Sequence, residues 1–179
     1  MKILAFAASS SRQSINRTLI NYAAQLIKEV NQHADINIID INDFEMPLFS
    51  IDRENELGHP TQAIDFHKSI AETDAIVISF AEHNGSYSAA YKNLFDWTSR
   101  IDAKVFQNKP MLLLATSPGA GGASTVLKQA ITSAPYFSGD VKASLSVGSF
   151  FDNFDQQANK ISNQEINQKL MNAIKLLNS

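Results

Sequence analysis

The sequence predicts an α/β fold: a three-layer α/β/α sandwich around a five-stranded parallel sheet. Three observations carry this expectation. Five short apolar runs, at 2–8, 36–41, 75–80, 110–116 and 141–147, have the length and continuity of strands covered on both faces. The segments between them carry apolar residues at helical spacing. Strand and helix alternate along the chain, which implies parallel strands joined by right-handed crossovers.

Each element follows in order. After the first strand, Ile15, Leu19, Ile20, Ala23, Ala24, Ile27 and Val30 mark one face of a helix, with Ser14 as its N-cap. The stretch 42–60 follows the second strand. It holds Pro47, Gly58 and several charges, and it reads as a long loop of the kind that is often functional. Ile64, Phe66, Ile70 and Ala71 mark the second helix, with Pro60 near its start. The third strand ends abruptly in small and polar residues, and an amphipathic segment follows over 89–100; Leu94, Phe95, Trp97 and Ile101 mark this third helix. Val126, Leu127, Ala130 and Ile131 mark the fourth helix. Beyond the fifth strand, Asp152 and Asp155 belong to a polar, solvated connection. Ile166, Leu170, Met171, Ile174 and Leu177 mark the last helix. Five strands with five helices is the count of a flavodoxin-like sandwich with strand order 2-1-3-4-5. Residues 1–179 read as one domain, without a linker or repeat.

Composition narrows the function. Apolar residues make up 44% and charged residues 18%, a globular balance. The net charge is −3 and no block of Lys or Arg stands out, so nucleic acid is not an expected partner. There is no cysteine, which excludes disulfides within the chain, thiolate catalysis and Cys-ligated zinc, and suits the cytoplasm. The N-terminal apolar run is short for a secretory segment and reads as the first strand. No run approaches the roughly 18 apolar residues of a membrane helix, so no membrane partner is expected.

Three loops leave the carboxyl ends of strands that the topology makes neighbours, where open α/β sheets bind ligands. The first runs from Ala8 to Asn16. Its hydroxyls, at Ser9, Ser11 and Ser14, the amide of Asn16 and the free N–H groups of a helix start make a phosphate cradle. Arg12 adds positive charge. The Gly-Lys-Ser/Thr ending of a Walker loop and the Gly-x-Gly-x-x-Gly dinucleotide fingerprint are both missing. The second loop spans 82–87 and offers Glu82, Asn84, Gly85 and the planar face of Tyr87, groups that suit a flat heterocycle with polar edges. The third, 116–123, holds three of the chain's seven glycines, whose backbone a ligand can approach closely.

Other chemistries lose ground. His33, His59, His67 and His83 are scattered without ligand spacing, so no metal is expected. Ser86 and His83 lack a G-x-S-x-G elbow and an acid placed to orient the imidazole, which argues against a hydrolase. Asp96 and Arg100, four apart, read as an ordinary helical ion pair. Trp97 and the Met and Phe residues read as core or interface.

The loops resemble those of the NAD(P)H-dependent FMN reductases of flavodoxin-like fold, which include quinone, azo-dye and chromate reductases. Ser14-Ile15-Asn16 is similar to the S-x-N end of that family's phosphate loop. Ala81-Glu82-His83-Asn84-Gly85-Ser86, then Lys92-Asn93-Leu94-Phe95-Asp96-Trp97, is similar to its P-E-Y-N-G-S motif and the K-N-x-x-D-W helix that follows. Residues 117–122 resemble its S-P-G-x-x-G-G loop. The second motif is the specific one. The chain departs at Ala81 for Pro, His83 for Tyr, Ala8 for a frequent Gly, and Arg12, which stands one place after the usual basic position, here Ser11.

The resemblance implies bound FMN, with NAD(P)H as co-substrate and a small-molecule electron acceptor. Ser9, Ser11, Ser14, the N–H of Ile15 and Asn16 would hold the phosphate. Glu82, His83, Asn84, Gly85, Ser86 and Tyr87 would line the isoalloxazine, with Ser117, Gly119, Gly121 and Gly122 on its other side. The chemistry would belong to the cofactor, in a ping-pong cycle with no dedicated catalytic residue. The resemblance also implies a homodimer or homotetramer, and the large apolar residues Tyr91, Phe95 and Trp97 suggest a stripe in need of cover. Two alternatives stay open: an FMN-binding electron carrier, and a flavin-free binding module of the same fold. A carrier would ordinarily be more acidic and have a T-x-T-G-x-T loop, which is absent.

Overall fold

In the computed structural model, which describes residues 1–177, a parallel sheet of five strands has the expected order. The strands are β1 (Lys2–Ala8), β2 (Asp35–Asp40), β3 (Ala75–Phe80), β6 (Pro110–Thr116) and β7 (Asp140–Val147), arranged β2-β1-β3-β6-β7. The helices are α1 (Ile15–Val30), α2 (Ile51–Leu57), α3 (Thr61–Ala71), α4 (Ala89–Ile101), α5 (Ser124–Ser133), α6 (Phe150–Asn153) and α7 (Gln164–Leu177). Two small hairpins complete the set: β4 (Glu82–His83) with β5 (Ser86–Tyr87), and β8 (Phe154–Asp155) with β9 (Lys160–Ile161).

Strand alternation builds two cores. In β1, Ile3, Ala5 and Ala7 pack with α1 and α7, whereas Leu4, Phe6 and Ala8 pack with α3, α4 and α5. The central strands β1 and β3 are buried almost throughout, which is why they read as unbroken apolar runs. Between β1 and β3 the connections turn in opposite directions, so a crevice opens at the carboxyl ends there.

Several expectations are corrected. The stretch 42–60 is not a plain loop: it begins within a 3-10 turn at Ile41–Phe44 and contains α2. Helix α2 buries no residue, so it lacks the periodic apolar face that reveals helices in sequence. Local signals hold it instead. The Ser50 hydroxyl accepts from the Arg53 N–H at 3.2 Å, and Gly58 ends the helix at φ +67°. The loop at 82–87 is a hairpin turning on Asn84 and Gly85, at φ +52° and +77°, and Asn-Gly is the pair that a two-residue primed turn favours. The connection after β7 contains α6 and the β8–β9 hairpin, with Asp152 and Asp155 exposed as expected.

Asp96 and Arg100 do not pair with each other. Asp96 binds Lys92 at 2.7 Å, and Arg100 binds Glu54 of α2 at 2.9 Å. Tyr91 and Trp97 form no exposed stripe either: both are buried, and Trp97 packs edge-on to Phe49 at 5.1 Å. The K-N-x-x-D-W segment is a clamp on the chain beyond β2. Asn93 Nδ2 donates to the carbonyls of Met46 and Pro47, Asn93 Oδ1 accepts from the Phe49 N–H at 2.8 Å, and Trp97 Nε1 donates to Pro47 at 2.7 Å. That clamp holds the segment against α4 without a secondary-structure ladder.

Candidate functional site

The three loops leave β1, β3 and β6, which lie side by side. The first is wound by its own hydroxyls. Ser9 Oγ accepts from the Ser11 N–H, Ser11 Oγ from the Gln13 N–H, and Ser14 Oγ from the Arg17 N–H, at 3.2–3.3 Å. Ser14 caps α1 as the sequence implies. The first-turn N–H groups of Ile15 and Asn16 have no carbonyl within the helix to reach, because none precedes them at the right spacing. Arg12 is exposed and forms no ion pair among the described residues, while Arg17 is bound to Asp40. Free N–H groups, hydroxyls and an uncommitted guanidinium form a donor set that fits a phosphate dianion. Beside it an open polar groove of about 650 Å³ runs between the start of α1 and Phe150, Phe151 and Phe154.

Asn16 has a different place from the one the resemblance implies for its side chain. It is 3% exposed and turns inward. Its Nδ2 donates to the Thr116 carbonyl at 3.2 Å, and its Oδ1 accepts from the Thr116 N–H at 3.1 Å and from Ser79 Oγ at 2.7 Å. This network ties α1 to the carboxyl ends of β3 and β6. Ser88 adds a second tie, donating to the Ala8 carbonyl at 2.9 Å while capping α4. Ser79, Ser88 and Thr116 were not among the residues singled out from the sequence. A lone hydroxyl near the end of an apolar strand, as at Ser79 and Thr116, was the available signal.

The hairpin holds the second set. His83, Asn84 and Gly85 are exposed at its tip. Glu82 points back toward α5: its carboxylate accepts from the Val126 N–H at 2.9 Å. Helix α5 starts from Ala123 in a left-handed conformation with no side-chain cap of its own, so Glu82 supplies the missing acceptor and a negative charge at the positive end of the helix. Ser86 donates to Gln129 at 3.1 Å, and the Tyr87 hydroxyl pairs with Ser133 at 3.1 Å. Burial pushes the Tyr87 phenol above its ordinary value, against the opposing Ser133 bond, so it stays protonated at neutral pH.

The third loop is fixed from behind. Gly119 O accepts from Ser149 N–H at 2.9 Å, Ser117 O from Phe150 N–H at 3.1 Å, and Gly122 O from Ser146 Oγ at 2.8 Å. Gly122, at φ +60°, leaves no room for a side chain, since a Cβ would stand 2.3 Å from Ser146 Oγ. Gly119 and Gly121 have open space where a side chain would be. Among the described residues, no three His, Cys, Asp or Glu side chains are grouped to hold a metal, and no helix is long and apolar enough to cross a membrane.

Comparison with known proteins agrees with this arrangement. The model of the family described as NADPH-dependent FMN reductase matches residues 1–152. An NADPH:quinone oxidoreductase of Arabidopsis thaliana is 33% identical over 122 residues, 68% of this chain and 61% of that protein. The chain therefore spans less than two thirds of the length of that relative. An NADH-dependent flavin reductase subunit 2 of Lactobacillus johnsonii is 27% identical over 172 residues, 92% of this chain and 89% of the relative. Among solved structures, the flavoenzyme NAD(P)H:(acceptor) oxidoreductase FerB of Paracoccus denitrificans superposes with a TM-score of 0.75 at 17% identity, covering 99% of this chain and 95% of its own. An FMN-dependent NADH-azoreductase of Bacillus anthracis in complex with FMN gives 0.71 at 12% identity, with both chains fully covered. At such identities the superpositions speak for the fold. With the family model matched over the three site loops and most of the sheet, the chain belongs to the NADPH-dependent FMN reductase family.

Proposed function

We propose that the chain is an NAD(P)H-dependent FMN oxidoreductase that passes electrons to quinones, flavins or similar small acceptors. The observation that carries this reading is the convergence of three polar loops on the crevice at β1, β3 and β6, with phosphate donors at one end and an exposed hairpin tip at the other. The names of the Arabidopsis and Lactobacillus relatives support it. When bound, FMN would supply the redox chemistry of a ping-pong reductase, with NAD(P)H as the two-electron donor and the small molecule as the acceptor.

This chain's residues do the holding. Ser9, Ser11, Ser14, Arg12 and the N–H groups of Ile15 and Asn16 bind the phosphate. Asn16 also acts as a positioning residue through Ser79 and Thr116. His83, Asn84, Gly85, Ser86 and Tyr87 line the ring, and the backbone near Asn84 and Gly85 offers N–H groups to negative charge on it. Glu82 holds the hairpin against α5. Ser117, Gly119, Gly121 and Gly122 border the opposite side. The reading includes a homodimer or homotetramer, with Leu48, Ile51 and Leu57 as apolar surface for contact, at 74%, 67% and 52% exposure.

The visible spectrum of the protein after FMN addition and desalting, followed by anaerobic NADPH or NADH, tests the proposal. Retained flavin that bleaches supports it. Flavin that stays oxidised points instead to an electron carrier, and no retained flavin overturns the reading.

A further inference from the structure

A partly open, mainly apolar cavity of about 220 Å³ lies between α4 and α5, beneath the hairpin. None of Ser9, Ser11, Asn84, Gly85 or Ser117 lines it, and Tyr87 alone is shared with the loop site. Its walls are aromatic: Phe80, Tyr87, Tyr91, Phe95, Phe106 and Phe137. These rings brace one another edge-on or tilted, with centroids 5.2 Å apart for Tyr87 and Tyr91 and 4.7 Å for Phe95 and Phe137, which keeps the space from collapsing. At the mouth, Lys92 and Asp96 neutralise each other beside Ser99 and Gln129. One polar wall group is uncommitted. Tyr91 is 3% exposed, and its hydroxyl, which is not among the fully buried atoms without a partner, makes no hydrogen bond to another described residue.

We propose that this cavity is a second binding site, for a small, flat, uncharged aromatic molecule whose single polar edge pairs with Tyr91. Size supports one ring: an apolar cavity of roughly 150 Å³ takes benzene, so this one has room for a ring with a short substituent. The self-neutralised mouth offers nothing to a net charge. An occupant would rest against Tyr87 and so touch the hairpin from below.

Acetophenone, with a carbonyl acceptor, and toluene, without one, are the probes, followed by ligand-observed NMR and calorimetry on the purified protein with and without added FMN. Both should bind in either condition. Ala130→Leu and Ser99→Leu fill the cavity from opposite helices, and each should weaken both probes by about tenfold or more without lowering the thermal midpoint. Tyr91→Phe should weaken acetophenone by about three- to tenfold and leave toluene unchanged. Absence of binding by the wild-type protein, equal binding by both filled variants, or competitive displacement by FMN would each overturn the proposal.

Discussion

Asn16 shows how a motif residue can act at one remove. Its amide satisfies three groups on two strands, all buried, so removing it strands a backbone N–H, a backbone carbonyl and the Ser79 hydroxyl. Asn16→Ala should therefore lower stability by about 2–3 kcal/mol, read as a shift of the urea midpoint at constant slope. A change within a few tenths of a kcal/mol would show that the network is dispensable. Asn84 sits at the exposed hairpin tip, where a left-handed backbone suits Asn better than Ala. Asn84→Ala should weaken FMN binding by about tenfold. Flavin content unchanged after purification would remove Asn84 from the site. Neither distinction could be read from the residue type, because Asn serves equally as ligand and as internal strut.

Elements here borrow what their own sequences lack. Helix α5 takes its cap from Glu82, so Glu82→Ala should cost about 1 kcal/mol of stability, with Glu82→Gln recovering part of it through the amide oxygen. Equal midpoints for wild type and Glu82→Ala would rule the cap out. Helix α1 and β2 are joined by Arg17 and Asp40. Partial burial alone would raise the Asp40 pKa, but the Asn42 N–H and the Arg17 guanidinium outweigh it and hold the carboxyl below its ordinary value. A carboxylate lowered in the folded state stabilises above its unfolded pKa, and the stabilisation fades as pH falls through the folded value. Stability measured from pH 5 downward should fall more steeply for wild type than for Asp40→Asn. Parallel curves would show that Asp40 has no such role. The α1 cap at Ser14 was legible from the sequence. The α5 cap was not, because its acceptor lies 44 positions from its donor.

For the whole molecule, the two cores on either face of the sheet make a scaffold against which the loops are fixed. A ligand that binds only the folded chain stabilises it by mass action. Free FMN at roughly a hundred times its dissociation constant should add about 2.7 kcal/mol and raise the thermal midpoint accordingly. A midpoint that does not respond to FMN would count against the proposed function. The assembly expectation is testable by mass in solution, and its apolar surface now rests on Leu48, Ile51 and Leu57 in place of the buried Tyr91 and Trp97.

The strand runs, the α1 periodicity and the alternation of elements were enough to imply the architecture and strand order. Burial on both faces makes the central strands β1, β3 and β6 near-continuous apolar runs, whereas the edge strands β2 and β7 are partly exposed, contrary to the expectation that all five are covered. The three loops were legible as well, since serines, glycines and Asn-Gly interrupt those runs where the topology gathers strand ends. Tertiary structure alone decided which polar groups face a ligand and which face the protein. It turned Asn16 and Glu82 inward, paired Asp96 with Lys92, and opened a cavity between α4 and α5. The physical reason is range. Periodicity and capping act within a few residues, whereas a hydrogen bond from residue 16 to residue 116 exists only once the sheet has brought them together.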